Sequence, residues 1–377
     1  MNTLPVVLCV FGTRPEAIKM APVVLALKAR TDRVRTLVCV TAQHREMLDQ
    51  VTDVFGIVPD YDLGIMTPGQ DLGPLTGALF TKMDPIIRDS GARWVLAQGD
   101  TTSTMTAALA AFYRKVRFGH VEAGLRTHDL QQPFPEEMNR RVADLIADTL
   151  FAPTEQARGN LLAEGLEESC IHMTGNTVVD ALNDIANRSY DWSTGPLSCI
   201  PASRRLVLIT AHRRESFGAP IRSLCEAIRE LAERFESQGV QFIYPAHLNP
   251  EVQQPVREIL GERRGVSILP PIDYIALVQL MRRSELILTD SGGIQEEAPT
   301  FHVPILVLRE KTERPEGIAA GVAKLVGTDR HRIVSEASRL LEDAGARKAM
   351  TSSRNPYGDG KAATRIASIV VNALDRE

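Results

Sequence analysis

The sequence predicts an α/β protein built from two parallel-sheet domains. Three observations carry this expectation. The chain has 377 residues, too many for one ordinary core. Short apolar runs alternate with longer amphipathic ones, the pattern of β-α-β units. The alternation breaks at "DWSTGPLSCIPASRR", a connector with Gly, Pro and Ser and no periodicity, and then restarts.

In the first half, "VVLCVF" reads as a strand before a helix from about Pro15. "RTLVCVT" precedes "REMLDQVTDVF", and "RWVLAQGD" precedes "TTSTMTAALAAFYRK". "RFGHVEAG" is a strand and loop, and "TLFAPT" precedes "EQARGNLLAEG". After the connector, "RLVLITAH" leads to "APIRSLCEAIRELAERFES", "QFIYPAH" to "PEVQQPVREILGE", and "GVSILP" to "DYIALVQLMRRS". "ELILTD" leads to "SGGIQEEAP", then "VPILVL", and "GKAATRIASIVVNAL" is helical by spacing. The halves share an architecture: two Rossmann-like domains facing a cleft. The boundaries expected are 1–175 with about 359–377, and 176–358.

Apolar residues make up 44% and charged residues 24%, with a net charge of −4 and no run of five like charges. Nucleic-acid and anionic-membrane partners are not suggested. The start, "MNTLPVVLCVFGTRPE", reads as a strand rather than a signal peptide. No stretch is long and apolar enough to span a bilayer. Five cysteines without C-x-x-C spacing, two of them (Cys9 and Cys39) inside strand-like runs, suggest buried thiols in a reducing, cytoplasmic setting.

In parallel sheets, ligands lie beyond the carboxyl ends of the strands. Arg14 and Lys19 follow the first strand in "FGTRPEAIK", where Gly12 permits a tight turn. They suit an anion at a helix start or are ordinary surface charges. Asp100 in "GDTTST" is an N-cap or a functional acid. Glu122 in "GHVEAGLRT" is functional or is paired to Arg126. Glu136 and Glu137 open a helix in "PFPEEMNRR", where the helix dipole alone favours acids. His212, followed by Arg213 and Arg214, suits contact with a phosphorylated substrate, and His247 sits similarly. Gly292 and Gly293, after the capping candidate Ser291, make a cradle for phosphate or only a turn into a helix. The adjacent Glu296 and Glu297 on that helix are an acid/base pair or ordinary helix charges, with a structural ion pair the ordinary reading of Glu296. No zinc-type spacing, H-E-x-x-H or Walker sequence occurs, and a formal dinucleotide match at Gly358, Gly360 and Ala363 follows no strand. No cofactor and no metal are expected.

Taken together, "FGTRPEAIKMAPV", "TAQHREMLDQV", "IMTPGQDL", "GDTTST", "GHVEAGLRT", "PFPEEMNRR", "FAPTE", "TGNTVVDAL", "TAHRRESFG", "PAHLNP", "LTDSGGIQEEAP" and "KTERPEG" run in an order that resembles the non-hydrolysing UDP-N-acetylglucosamine 2-epimerases of bacteria. The resemblance implies a GT-B-like fold, a homodimer, a last helix crossing back to the first domain, and a UDP-sugar substrate converted to UDP-N-acetylmannosamine. It implies acid/base roles for Asp100, Glu122 and Glu136 and a diphosphate role for His212. It also implies substrate contacts for Arg14, Lys19, Arg314 and Glu297, and uracil contacts at Ile272 and Leu277. The chemistry is consistent with these residue types. The C2 proton is poorly acidic, so UDP leaves C1 as C2 loses its proton, giving a glycal to which UDP returns. Such a site needs a base, an acid and a clamp on UDP. A hydrolysing epimerase and a GT-B glycosyltransferase are the alternatives.

Relatives under allosteric control by UDP-N-acetylglucosamine carry a second site, matched here by Gln43, His44, Arg213 and His247. Glu46 replaces a Gln seen in some members, and Gly69 falls where an Arg would be. If that site works, UDP-N-acetylglucosamine will raise initial rates measured with UDP-N-acetylmannosamine. Flat hyperbolic kinetics, unaffected by the addition, would count against it.

Overall fold

A computed structural model describes residues 4–41, 45–65, 70–213 and 216–376, with side chains from 48 onward in the second of these segments. The chain divides into two compact units, 1–181 with 357–377, and 182–356.

In the first unit the elements alternate without exception: β1 (Val6–Phe11), α1 (Arg14–Lys28), β2 (Arg35–Val40), α2 (Arg45–Phe55), β3 (Tyr61–Asp62), α3 (Leu72–Ser90), β4 (Ala92–Gln98), α4 (Thr102–Tyr113), β5 (Arg117–Val121), α5 (Glu136–Ile146), β6 (Thr149–Ala152), α6 (Glu155–Ala163), β7 (Ile171–Met173) and α7 (Thr177–Ala186). The strands pair in parallel in the order β3-β2-β1-β4-β5-β6-β7. Every residue of β1 and β6 is buried, as expected of strands covered on both faces.

The second unit contains β8 (Arg205–Thr210), α8 (Ala219–Phe235), β9 (Val240–Pro245), α9 (Pro250–Leu260), β10 (Val266–Leu269), α10 (Tyr274–Arg283), β11 (Ser284–Thr289), α11 (Gly292–Glu297), β12 (Ile305–Val307), α12 (Pro315–Ala319), β13 (Ala323–Leu325), α13 (Arg330–Glu342) and α14 (Ala344–Thr351). Its parallel sheet runs β10-β9-β8-β11-β12-β13. The two parallel sheets are the two Rossmann-like domains that the alternation predicts.

The last helix, α15 (Ala362–Leu374), packs on α1 in the first unit. Asp180 of α7 caps its start, accepting from the N–H groups of Ala362 (3.2 Å) and Ala363 (3.0 Å). Arg30, just past α1, donates to Ser368 at 2.7 Å, and Arg33 pairs with Asp375.

Each sheet reverses its strand order once, between β1 and β4 and between β8 and β11. A reversal of this kind opens a crevice at the strands' carboxyl ends. At the first reversal the backbone is closely packed. A β-carbon on Gly12 would stand 1.8 Å from the buried Thr41 hydroxyl and 3.2 Å from that of Ser103. Gly12→Ala should therefore cost about 1–3 kcal/mol in urea unfolding, with part recovered in the double variant Gly12→Ala/Thr41→Ala. Unchanged stability of the single variant would refute the close approach.

Candidate functional site

Helix α1 opens with a reciprocal cap. The Glu16 N–H donates to Thr13 Oγ1 at 3.4 Å, and Glu16 Oε2 accepts from the N–H groups of Gly12 (2.8 Å) and Thr13 (2.6 Å). Glu16 is buried, and its other oxygen accepts from the hydroxyls of Thr101 and Thr104. Burial pushes its carboxyl up, against the hydrogen bonds from Thr101, Gly12 and Thr13. Glu16 thus ties the turn after β1 to the turn after β4. Arg14 occupies the first position of α1 at this reversal.

Asp100 follows β4, but it is Thr101 that caps α4, accepting from the Thr104 N–H at 3.2 Å. The N-cap reading of Asp100 is therefore wrong. Its partly exposed carboxylate pairs with Arg140 of α5, and its carbonyl accepts from Asn139 Nδ2 at 2.9 Å.

Glu122, one residue past β5, has a backbone φ of 67°, where a glutamate rarely sits. The main chain is held there by its N–H bond to the Phe151 carbonyl at 3.0 Å. Lys19 (2.5 Å), Asn176 (3.0 Å) and Gln98 donate to its carboxylate. Arg126, the partner weighed from sequence, instead engages Asp144 (2.7 Å) and Glu164 (2.6 Å).

The adjacent acids at the start of α5 differ sharply. Glu137 is fully buried and accepts from the N–H groups of Thr127 (3.0 Å) and His128 (3.2 Å) and from Arg141 Nε (3.1 Å). Burial would raise its carboxyl, but these donors and Arg140 bring it below the usual range. Glu136 instead has a buried Oε2 with no hydrogen-bond partner among the described residues. Asp100 and Glu122 thus follow the adjacent strands β4 and β5 at the carboxyl end of the first sheet, and α5, which Glu136 opens, is tied to Asp100 through Asn139 and Arg140, with Glu137 holding the loop that precedes α5.

In the second unit the turns after β8 and β11 are joined by Asp290, which is fully buried. Its Oδ2 accepts from the N–H groups of His212 and Arg213, both at 2.8 Å, and from Ser216 Oγ at 3.3 Å. The His212 ring is 45% exposed and stacks on His247, with centroids 5.5 Å apart and planes at 10°. His247 Nδ1 accepts from the Asn249 N–H at 3.1 Å. Burial lowers the His212 pKa; Asp290 opposes this, while His247 and Arg213 add to it.

Ser291 stands at the N-cap of α11, but its hydroxyl makes no capping bond; its N–H donates to Thr289 Oγ1 at 2.9 Å. A β-carbon on Gly292 would lie 3.5 Å from the Arg213 guanidinium, and one on Gly293 3.6 Å from the Glu297 carboxylate. Glu297 therefore curls back toward the helix start. Buried Glu296 pairs with Arg314, the ion pair expected of it. Arg314 is also braced by Thr312, whose hydroxyl accepts from its N–H at 3.1 Å. Ile272 and Leu277 are half-buried around the start of α10, which Asp273 caps.

Gln43, His44 and Gly69 lie outside the described residues, as does the side chain of Glu46. Arg213 and His247, assigned from sequence to a second site, share one cluster with His212. Among the described residues no group of His, Cys, Asp and Glu is arranged to hold a metal ion.

Several residues of this arrangement were missed from sequence. Thr13-x-x-Glu16 is a capping-box spacing and could have been read. Arg140, Gln98, Asn176 and Asp290 had no such signal, because their partners are remote in sequence. The unlike roles of the paired acids can be measured. Glu137→Ala should cost about 1–3 kcal/mol of stability, while Glu136→Gln should stay within about 0.5 kcal/mol of the parent in the same melts. Equal losses would contradict the structural assignment.

Residues 25–371 match the family model described as UDP-N-acetylglucosamine 2-epimerase. The chain is 50% identical over 366 residues to the UDP-N-acetylglucosamine 2-epimerase of Salmonella typhimurium, covering 96% of each chain. A crystal structure named as a putative UDP-N-acetylglucosamine 2-epimerase from Listeria monocytogenes superposes with a TM-score of 0.93 at 44% identity, covering 100% of this chain and 98% of that one. The enzyme of Neisseria meningitidis, solved bound to UDP-GlcNAc, gives a TM-score of 0.85 at 43% identity, covering 99% and 100%. On that match and that identity, the chain belongs to the UDP-N-acetylglucosamine 2-epimerase family.

Proposed function

We propose that the protein reversibly epimerises UDP-N-acetylglucosamine at C2 to UDP-N-acetylmannosamine, supplying a precursor for cell-surface polysaccharide. The observation that carries this reading is the trio Asp100, Glu122 and Glu136 at one end of the first sheet. A carboxylate takes the C2 proton, the C–H electrons form the C1=C2 bond, and the C1–O electrons leave with UDP. UDP then adds back to the 2-acetamidoglucal while a second carboxyl delivers a proton to the other face. General acid–base help of this kind is worth roughly 10²–10⁴-fold. No electron carrier is needed, because the sugar is neither oxidised nor reduced overall.

Glu136 and Asp100 are the proton carriers in this scheme. Support comes from the unpartnered buried oxygen of Glu136 and the partly exposed carboxylate of Asp100. Arg14 and Lys19 bind substrate. Lys19 also offsets the charge of Glu122. In the second unit, the main chain at Ser291, Gly292 and Gly293 receives the diphosphate, Glu297 the ribose diol, Arg314 a further part of the nucleotide, and Ile272 with Leu277 the uracil. His212 faces the diphosphate as a charge-assisted donor or as a proton donor to the leaving oxygen. Arg213 and His247, with Gln43 and His44, form the regulatory site in this reading. The enzyme acts as a homodimer in the cytoplasm, a setting suited to its five free cysteines.

Proton NMR of UDP-N-acetylglucosamine with the enzyme in D₂O tests the reading. UDP-N-acetylmannosamine with deuterium at C2 is expected, and Asp100→Asn should lose at least about 100-fold in rate. Free N-acetylmannosamine with UDP would mean a hydrolysing enzyme. No turnover without an acceptor would point to a glycosyltransferase, and an active Asp100→Asn would remove Asp100 from the proton path.

A further inference from the structure

One buried cluster in the first unit has no part in that scheme. His120, in β5, is fully buried. Its Nδ1 lies 2.6 Å from Asp144 Oδ1, and its Nε2 lies 2.7 Å from the Gly99 carbonyl oxygen. Both neighbours are acceptors. A neutral imidazole has one N–H and can serve only one of them, whereas an imidazolium serves both. Asp144, in α5, also takes Arg126 Nη1 at 2.7 Å and the Gly124 N–H at 3.2 Å. Arg126 in turn meets Glu164.

The segments joined in this way are those that carry the three acids. Gly99 immediately precedes Asp100. Gly124 lies two residues past Glu122, in a turn with φ of 87° whose β-carbon position is filled by the Ala157 carbonyl at 2.3 Å. Asp144 is on the helix that begins with Glu136. We propose that His120 is a positioning residue for the epimerisation, acting as a buried imidazolium that links Asp144 to the Gly99 carbonyl and so sets Asp100 against Glu122 and Glu136. The inference rests on those three acids handling the proton.

The electrostatics agree. Burial alone would push His120 toward the neutral form, but the charge and hydrogen bond of Asp144, the Gly99 carbonyl and the charge of Asp100 outweigh it, and its pKa is raised. Asp144 is held below the usual carboxylate range although burial opposes this, because His120 and Arg126 flank it. The charged groups facing the ring are thus Asp144 from α5, with Arg126 behind it, and Asp100 from the turn after β4. Phe118, on the same strand, stacks on the ring at 6.1 Å.

Two measurements test the proposal. Nitrogen-15 NMR of histidine-labelled wild-type enzyme near neutral pH should assign to His120 a ring protonated at both nitrogens; a neutral ring overturns the proposal whatever the variants do. Kinetics then compares His120→Gln, which can still donate to the Gly99 carbonyl, with His120→Phe, which cannot. His120→Phe should lose about 10–100-fold in kcat with KM changed less than about threefold, since small misplacements act on the chemical step. His120→Gln should recover part of that loss. Equal defects in the two variants, wild-type kcat in His120→Phe, or a loss confined to KM would each overturn it. An active Asp100→Asn would sink the acid assignment instead, and the two failures are therefore distinguishable.

Discussion

Both units depend on a carboxylate that has left water and taken main-chain N–H groups in exchange. Asp290 does this in the second unit, and Glu16 and Glu137 do it in the first. A buried carboxylate costs several kcal/mol to desolvate, on the order of magnitude that two or three charge-assisted hydrogen bonds return. The balance closes only if the donors stand where the acid needs them. The acid therefore dictates the path of the backbone around it. Each of these acids acts on a turn that follows a strand or on the loop that precedes a helix, which are the segments a parallel sheet leaves free to vary.

This divides the acids into two kinds. Glu16, Glu137, Asp144 and Glu296 are nearly or fully buried, and each is committed to N–H, guanidinium, hydroxyl or imidazole donors of the protein; Asp290, also fully buried, holds its donors through Oδ2, and its Oδ1 has no hydrogen-bond partner among the described residues. Asp100 is partly open, and Glu136 keeps an oxygen without a partner. Glu122 falls between the two: its carboxylate is well supplied with donors, but its backbone is held in a conformation that a glutamate adopts only under constraint. An acid saturated by backbone donors is a poor proton carrier, because every bond it accepts favours the ionised form. Glu137 and Asp144, both held below the usual carboxylate range, are thereby poor proton carriers, which leaves the proton path of the proposed scheme to Asp100 and Glu136.

The fold was largely legible in the sequence. Fully buried parallel strands read as continuous apolar runs, and the break at "DWSTGPLSCIPASRR" precedes the second sheet. The strand-end positions of Asp100, Glu122 and His212 were legible for the same reason, since a strand's end is a local event. What could not be read is pairing across distance. Lys19 meets Glu122 over 103 residues, and His212 and Arg213 meet Asp290 over 78 and 77. Nothing in "VEAGLRT" tells whether Glu122 will take Arg126, four residues away, or a lysine from the first helix. The wrong neighbour looked right because sequence proximity was the only distance available. Glu136 and Glu137 fail in a different way. Adjacent residues on a helix point about 100° apart, and which one faces the interior is decided by packing.

The cations of the second unit bear on how an acidic chain would receive the diphosphate of the proposed substrate. With a net charge of −4, the molecule offers no broad positive field to draw an anion in. Its arginines near α11 are instead bound to acids: Arg314 to Glu296, and Arg309 to Glu313, whose carboxyl is brought to about 2, chiefly by its hydrogen bond to Arg309. Each pair is nearly neutral from a distance, but each fixes where a guanidinium edge points. Arg213 differs, because its own N–H is spent on Asp290 while its guanidinium lies beside Gly292. Long-range attraction would serve any polyanion, whereas paired guanidinium groups and a glycine turn serve only a ligand that comes within hydrogen-bond reach of them. In the proposed function, recognition of this kind would be short-ranged, with its selectivity set by the backbone geometry that Asp290 imposes.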